Sequence, residues 1–127
     1  SPEVAHVGLT VAGAAERGVA VDVVDVPLHE VDRARIDAED EGFCRVLLAR
    51  GSDRIVGATF VGAHAGEAIG EVALAMTARL GLGAIGRTMH PYPTQAEAWR
   101  RAADQWQRRR LTPRVRRLFA LFFRALG

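Results

Sequence analysis

The sequence predicts an α+β fold in which helices flank an antiparallel β-sheet. Two apolar runs of strand length, 42–50 and 54–62, are joined by the turn sequence Gly-Ser-Asp, which is typical of a tight hairpin. Apolar residues then recur at helical spacing over 66–80 and from residue 94 to about residue 107. Strands that come early and helices that come late favour separate layers over alternating β-α units.

Shorter elements are predicted before the hairpin. Thr10 is a candidate N-cap for a helix over 11–17, which the glycine after it would end. Residues 19–26 are rich in valine, alternate partly with acids and precede a proline, so they predict a strand. The charged stretch 28–40 favours an extended or looping connection over a packed element.

The elements after the hairpin are predicted from their apolar spacing and their end signals. The helix at 66–80 would bury one face and expose its acidic residues, Glu71 among them. Glycines and prolines in 81–93 predict a loop. Thr94 and Glu97 have the spacing of a capping box, so a second helix would begin there.

The end of the chain differs in charge from the rest. Residues 1–99 hold 8 Arg and 14 Asp or Glu, whereas residues 100–127 hold 9 Arg and one acid. Pro113 at the start of an amphipathic pattern predicts a separate final helix. We therefore expect a domain over 1–110 and a basic amphipathic C-terminal helix over 111–127.

The composition sets limits on the class of protein. A chain of 127 residues with 49% hydrophobic content suits one domain with one core. No run of about 18 apolar residues and no signal-peptide pattern occurs, so we expect a cytoplasmic location. Cys44 is the only cysteine, which excludes an internal disulfide or CxxC pair. All basic residues are arginine, which we interpret as composition bias, so no nucleic-acid partner is expected.

Four motifs occur in order along the chain. The first is PEVAHVGLT at 2–10, and the second is RIVGA at 54–58, with Gly62 beyond it. The third is GEAIGE at 66–71, and the fourth is HPYPTQAE at 90–97. Each motif is weak alone, because apolar strands with glycines are common, but their order and spacing together are specific.

In that order, the motifs resemble the C-terminal dimerisation domain of the FAD-dependent pyridine nucleotide-disulfide oxidoreductases. This family includes glutathione reductase, lipoamide dehydrogenase and mercuric reductase. The resemblance implies a homodimer and a full-length enzyme that uses FAD and NAD(P)H. It also implies that the phosphate-binding loop, the redox cysteines and the two nucleotide domains lie upstream of this chain. No cofactor is then expected on the fragment, which would be inactive alone.

The fourth motif is similar to the family's H-x-H-P-T-x-x-E loop, which reaches the partner subunit's active site. There the second histidine is an acid/base catalyst that the glutamate orients; the corresponding residues are Tyr92 and Glu97. The resemblance implies that Tyr92, Glu97 and His90 are catalytic candidates, with Tyr92 and Pro93 near the cofactor. Tyrosine is typical of the mercuric reductase-like branch, and it favours a metal ion or quinone as acceptor over a dithiol. No resident metal site is expected.

Other interpretations remain open for these residues. Glu97 could serve only as the capping partner of Thr94, and His90 could brace the loop or act through a shifted register. The basic helix could pack on the other domains, lie against an anionic membrane or associate with itself. The alternative function is a non-catalytic assembly or membrane-surface-binding module of the same fold.

Overall fold

One antiparallel sheet organises the chain. A computed structural model describes residues 3–31, 41–88, 90 and 97–126, and in the last range the side chains of 97–110 and 121. Among these residues, four strands pair in the order β1-β4-β3-β2, which confirms the predicted α+β class. The strands are β1 (Glu3–Gly8), β2 (Val21–Pro27), β3 (Phe43–Ala49) and β4 (Ile55–Gly62). The helices are α1 (Val11–Glu16), α2 (Ala65–Thr77), α3 (Leu82–Arg87) and α4 (Glu97–Leu126).

The predicted hairpin is confirmed. Strands β3 and β4 pair antiparallel from Phe43 opposite Val61, with a register shift between Leu47 and Leu48. The Ala49 N–H donates to the Arg54 carbonyl at 2.9 Å, which closes the turn. The hairpin forms the centre of the sheet, and β1 and β2 are its edges.

The short helix α1 also begins and ends as predicted. The Thr10 hydroxyl accepts the Gly13 N–H at 2.9 Å, as an N-cap does. Gly18 follows the helix with φ of +68°, a left-handed conformation that glycine adopts without steric cost.

The connection after β2 is more ordered at its start than predicted. Leu28–Glu30 forms a 3-10 turn, and Leu28 and Val31 are fully buried. Because residues three apart share one side of such a turn, both side chains enter the core. The Leu28 N–H also donates to the Gly42 carbonyl at 3.1 Å. Residues 32–40 lie outside the described part of the chain.

Helices α2 and α4 cover one face of the sheet and enclose the core. Trp99 and Phe60 are fully buried, and their rings meet edge to face at 5.6 Å between centroids. Val72 of α2 and Trp106 of α4 join the same cluster. Trp99 and Trp106 are seven residues apart in α4, so they share one helix face, and both are buried.

Two predicted boundaries are wrong. The predicted loop 81–93 contains α3, which forms although two of its six residues are glycines. The two helices predicted after residue 94 are one helix, α4, because Pro113 removes one backbone hydrogen bond without ending it. The proposed division at residue 110 therefore falls within a continuous helix. Across the described residues, no helix has the combined length and apolarity needed to span a bilayer.

The other face of the sheet carries a polar row across all four strands. His6, Thr59, Arg45 and Asp25 lie side by side in the strand register. The His6 Nδ1 and Thr59 Oγ1 are 2.7 Å apart, and the Arg45 guanidinium donates to Asp25 at 2.7 and 3.1 Å. That hydrogen-bonded carboxylate raises the pKa of Arg45. This row is partly exposed, so the face is open in the described chain.

Candidate functional site

The predicted site segment, residues 90–97, connects α3 to α4. His90 and Glu97 are described, whereas Tyr92 and Pro93 lie outside the described residues. The structure therefore places the two ends of the segment and leaves the assignment of Tyr92 as a prediction. Both ends lie against α2, as the following contacts show.

The first end is fixed by a histidine–carboxylate pair. His90 Nε2 lies 2.6 Å from Glu71 Oε1, and the His90 side chain is only 5% exposed. A carboxylate accepts hydrogen bonds, so Nε2 must carry the proton and donate. The other ring nitrogen, Nδ1, is buried and has no hydrogen-bond partner within the described part of the chain. Among the described residues, His90 is thus oriented through one ring nitrogen alone.

The second end is fixed by the first turn of α4. The Trp99 indole N–H donates to the Ala68 carbonyl of α2 at 2.7 Å, in the buried core. The Cys44 thiol of β3 donates a weak hydrogen bond to the Ala98 carbonyl, with sulfur and oxygen 3.7 Å apart. The beginning of α4 is therefore held to both the helical layer and the sheet.

Glu97 is the first residue of α4 and has an incomplete set of partners. Its Oε2 atom is buried and accepts no hydrogen bond from any described residue. A buried carboxylate oxygen is costly unless a donor faces it. The capping-box alternative involves Thr94, which lies outside the described residues.

The sequence interpretation missed Glu71, which it placed on the exposed side of its helix. In α2 the buried positions include Ala68, Val72 and Ala75. Glu71 is three residues after Ala68 and four before Ala75, so it borders that face rather than opposing it. A carboxylate at the border of an alanine-lined face is the signal that would have indicated a partner from another element.

A second pattern was also missed. Residues 81–86 read GLGAIG, a G-x-G-x-x-G sequence of the kind we expected only upstream of this chain. In nucleotide-binding domains that pattern follows a strand and opens a helix whose N-terminus faces phosphate. Here it follows α2, and the Asp53 carboxylate accepts the Gly83 N–H at 3.1 Å. A carboxylate occupies the position that a phosphate would need, so this sequence is a helix start and not a nucleotide site.

The other titratable groups of the described residues offer neither a metal site nor a reactive thiol. Within the described ranges, no cluster of three or more His, Cys, Asp or Glu side chains is arranged to hold a metal ion. Cys44 is fully buried, and burial is the main cause that raises the pKa of its thiol, followed by the charge of Asp25. A thiol that stays protonated is a poor nucleophile.

Known proteins with this fold share much of the chain. It is 37% identical over 102 residues to dihydrolipoyl dehydrogenase of Chlamydia muridarum, covering 80% of this chain and 22% of that protein. It is 36% identical over 104 residues to mercuric reductase of Streptomyces lividans, covering 82% of this chain and 22% of the relative. The chain thus spans about a fifth of the length of these curated relatives.

Solved structures and a family model agree with these relatives. LpdA from Mycobacterium tuberculosis superposes with a TM-score of 0.76 at 26% identity, over 83% of this chain and 23% of that one. The flavoprotein disulfide reductase RclA from Escherichia coli, in its Cu(II) complex, shares the fold with a TM-score of 0.75 at 22% identity, over 83% of this chain and 25% of that one. Residues 1–103 match the family model described as pyridine nucleotide-disulphide oxidoreductase, dimerisation domain. The chain therefore belongs to the dimerisation-domain family of the pyridine nucleotide-disulphide oxidoreductases.

Proposed function

We propose that this chain is the C-terminal dimerisation domain of a longer FAD- and NAD(P)H-dependent oxidoreductase and that it pairs two copies of that enzyme. The family match over residues 1–103 supports this, as do relatives named dihydrolipoyl dehydrogenase and mercuric reductase. Because the chain spans about a fifth of those relatives, the nucleotide domains and redox cysteines would lie elsewhere in the longer protein. The chain alone would then be inactive.

Within this dimer, segment 90–97 would reach the flavin–disulfide site of the partner subunit. The observation that carries this proposal concerns Glu97, the last residue of the segment. Its buried Oε2 atom accepts no hydrogen bond from any described residue. The Tyr92 hydroxyl, five positions earlier, is a donor of the required kind. Glu97 would then orient Tyr92, much as the family's glutamate orients its histidine.

Tyrosine limits the chemistry that this site would perform. An unperturbed phenol has a pKa of about 10, so at neutral pH it holds its proton and donates a hydrogen bond. It is therefore a poor base for a dithiol substrate, which favours a soft metal ion or a quinone as acceptor. FAD would supply the electron transfer from NAD(P)H, and Tyr92 would hold a proton beside the disulfide.

Removing and exchanging the Tyr92 side chain tests this role in the full-length enzyme. We expect Tyr92→Phe to lower turnover with Hg(II) or a soluble quinone by about 100-fold, the usual contribution of a positioned proton donor. Tyr92→His should instead raise activity with lipoamide, because histidine supplies the missing base. Thr88→Val is the matched control, since the Thr88 hydroxyl donates only to the Ala84 carbonyl among the described groups.

Mixed dimers test whether the segment acts on the partner subunit. One subunit would carry Tyr92→Phe and the other would lack its redox cysteines. If the segment crosses the interface, one of the two sites in the mixed dimer is intact and activity returns. Activity that stays at the level of the parent variants would show that the segment acts within its own subunit. Wild-type turnover of Tyr92→Phe in an intact dimer would indicate an assembly role alone.

A further inference from the structure

A cavity of about 650 Å³ lies where the end of α2 meets the start of β4. Sites for small molecules usually have volumes of about 300–1,000 Å³, so this cavity is large enough for one. Two arginines border it, and the other lining side chains are apolar. These apolar residues are Leu9, Ile55, Val56, Met76 and Leu80.

The two arginines, Arg54 and Arg79, have no counter-ion within the described part of the chain. Both are exposed, and neither side chain forms an ion pair or a hydrogen bond with a described residue. The acid next to Arg54 in sequence, Asp53, accepts the Gly83 N–H at 3.1 Å instead. Two unpaired guanidinium groups therefore face one apolar cavity, and a guanidinium can hold a carboxylate through two parallel hydrogen bonds.

The backbone of Arg79 has a left-handed conformation, with φ of +60°. The Arg79 N–H donates to the Met76 carbonyl at 3.2 Å, and the Leu80 N–H donates to the Ala75 carbonyl at 2.8 Å. This pair of bonds is the Schellman motif that ends many helices, and its left-handed residue is usually glycine. An arginine there costs backbone strain, and such strain clusters at functional sites. The strain points to a use for the Arg79 side chain.

The apolar floor of the cavity selects the rest of the ligand. Ile55 is 5% exposed and Leu80 is 50% exposed, so the floor runs from the core to the surface. An aliphatic chain that covers Leu80 would remove apolar surface of both partners from water. The unbranched Met76 side chain adapts its shape to such a chain. A ligand with many polar groups would instead leave some of them unpaired against this floor, which is costly.

We propose that this cavity binds a small carboxylate with an aliphatic body. The carboxylate would pair with Arg54 and Arg79, and the aliphatic chain would lie over Met76 and Leu80. This site goes beyond the proposed role in dimerisation. It does not depend on that role, because none of the residues that line the cavity belongs to segment 90–97.

Octanoate is a direct probe, and Met76 reports its binding from the wall of the cavity. In the full-length protein labelled with ¹³C-methyl methionine, the Met76 resonance is the one that Met76→Leu removes. We expect octanoate to shift this resonance with a Kd about 10-fold lower than that of 1-octanol, which has the same chain without the charge. Octylammonium should leave the resonance in place. An unshifted resonance with octanoate, or equal affinity for octanoate and 1-octanol, would overturn the proposal.

Two arginine variants test the anion contacts. Arg79→Gly removes the guanidinium group and also the backbone strain, so we expect the Kd for octanoate to rise about 10-fold while the Tm rises. A variant that is more stable than the wild type cannot lose binding by unfolding. Arg54→Gln leaves the backbone of residue 79 as it is and should weaken octanoate binding to a similar extent. An unchanged Kd in both variants would overturn the proposal.

Arg17→Gln is the matched control for net charge. Arg17 is exposed at the end of α1 and does not line the cavity. We expect this variant to bind octanoate with the wild-type Kd. A loss of affinity equal to that of Arg54→Gln would assign the effect to the overall charge of the protein and refute a site at this cavity.

Discussion

At the scale of single residues, one tight steric requirement lies where β1 gives way to α1. The Leu9 N–H donates to the Val56 carbonyl at 2.9 Å, so the backbone of residue 9 runs directly beside Gly57. A Cβ atom on Gly57 would overlap the Leu9 carbonyl oxygen. Glycine is therefore required at position 57 by the approach of another backbone, which cannot move without breaking the sheet edge.

Replacing Gly57 should be costly, whereas replacing another glycine should be favourable. We expect Gly57→Ala to lower the free energy of unfolding by about 3 kcal/mol, because backbone must shift to admit the methyl group. Gly70 is exposed within α2, and an added methyl group there would meet no other atom within 4 Å. Gly70→Ala should therefore raise the free energy of unfolding by about 0.5–1 kcal/mol. Urea unfolding of both variants measures the difference; equal stabilities would contradict the steric account.

Prediction from sequence succeeded for residues with local partners and failed for those with distant ones. The Thr10 hydroxyl accepts the N–H of Gly13, three residues away, so the local pattern alone identified Thr10 as an N-cap. The partner of Glu71 is 19 residues away, and no local spacing reveals it. For Tyr92 the resemblance supplied an expected role, which remains a prediction.

At the scale of elements, α3 shows how one side chain can create a helix in a glycine-rich stretch. The Asp53 carboxylate accepts the Gly83 N–H at 3.1 Å, and the Leu82 N–H donates to the Asp53 carbonyl at 2.8 Å. A residue from the hairpin turn thus satisfies the N–H groups that a helix start leaves unpaired. Since this cap is distant in sequence, the glycines alone predicted a loop.

Removing the Asp53 carboxylate tests this account of α3. We expect Asp53→Ala to lower the free energy of unfolding by about 1 kcal/mol, as loss of an N-cap does. Asp104→Ala is the matched control, because Asp104 is exposed on α4 and its side chain bonds no described residue. Asp104→Ala should leave the free energy of unfolding unchanged or raise it slightly. A similar loss in both variants, measured by thermal unfolding, would show that charge rather than capping is responsible.

At the scale of the whole molecule, the fold class was predictable but the strand order was not. Hydrophobic period and turn chemistry identify β2, β3, β4, α1 and α2, and the hairpin specifies β3 beside β4. The pairing of β1 with β4 joins Val4 to Val61 and depends on the completed core. Similarly, only tertiary packing shows that Leu28 and Val31 belong to that core.

The buried Cys44 thiol makes the free energy of unfolding depend on pH. Burial, and secondly Asp25, raises the pKa of Cys44 above its ordinary value of 9.0, so the folded protein keeps a proton that the unfolded chain releases. The contribution is complete below pH 9.0 and is lost as pH rises further, at up to about 1.4 kcal/mol per pH unit. We expect the free energy of unfolding to decline less steeply between pH 8 and 10 in Cys44→Ala than in the wild-type protein. Identical slopes in the two proteins would contradict this.

The strand order also determines the order in which parts of the fold can form during synthesis. As the chain leaves the ribosome, β1 emerges first but must wait for β4, whose residues follow about fifty positions later. The hairpin and α2 can form before that edge closes, because their contacts are local. Trp99 emerges later still, and until then Phe60 and the alanine-lined face of α2 have no cover. The contacts that His90 and Trp99 make with α2 are consequently among the last to form. A nascent chain halted before residue 99 would leave this apolar surface exposed, and such surface is what chaperones bind.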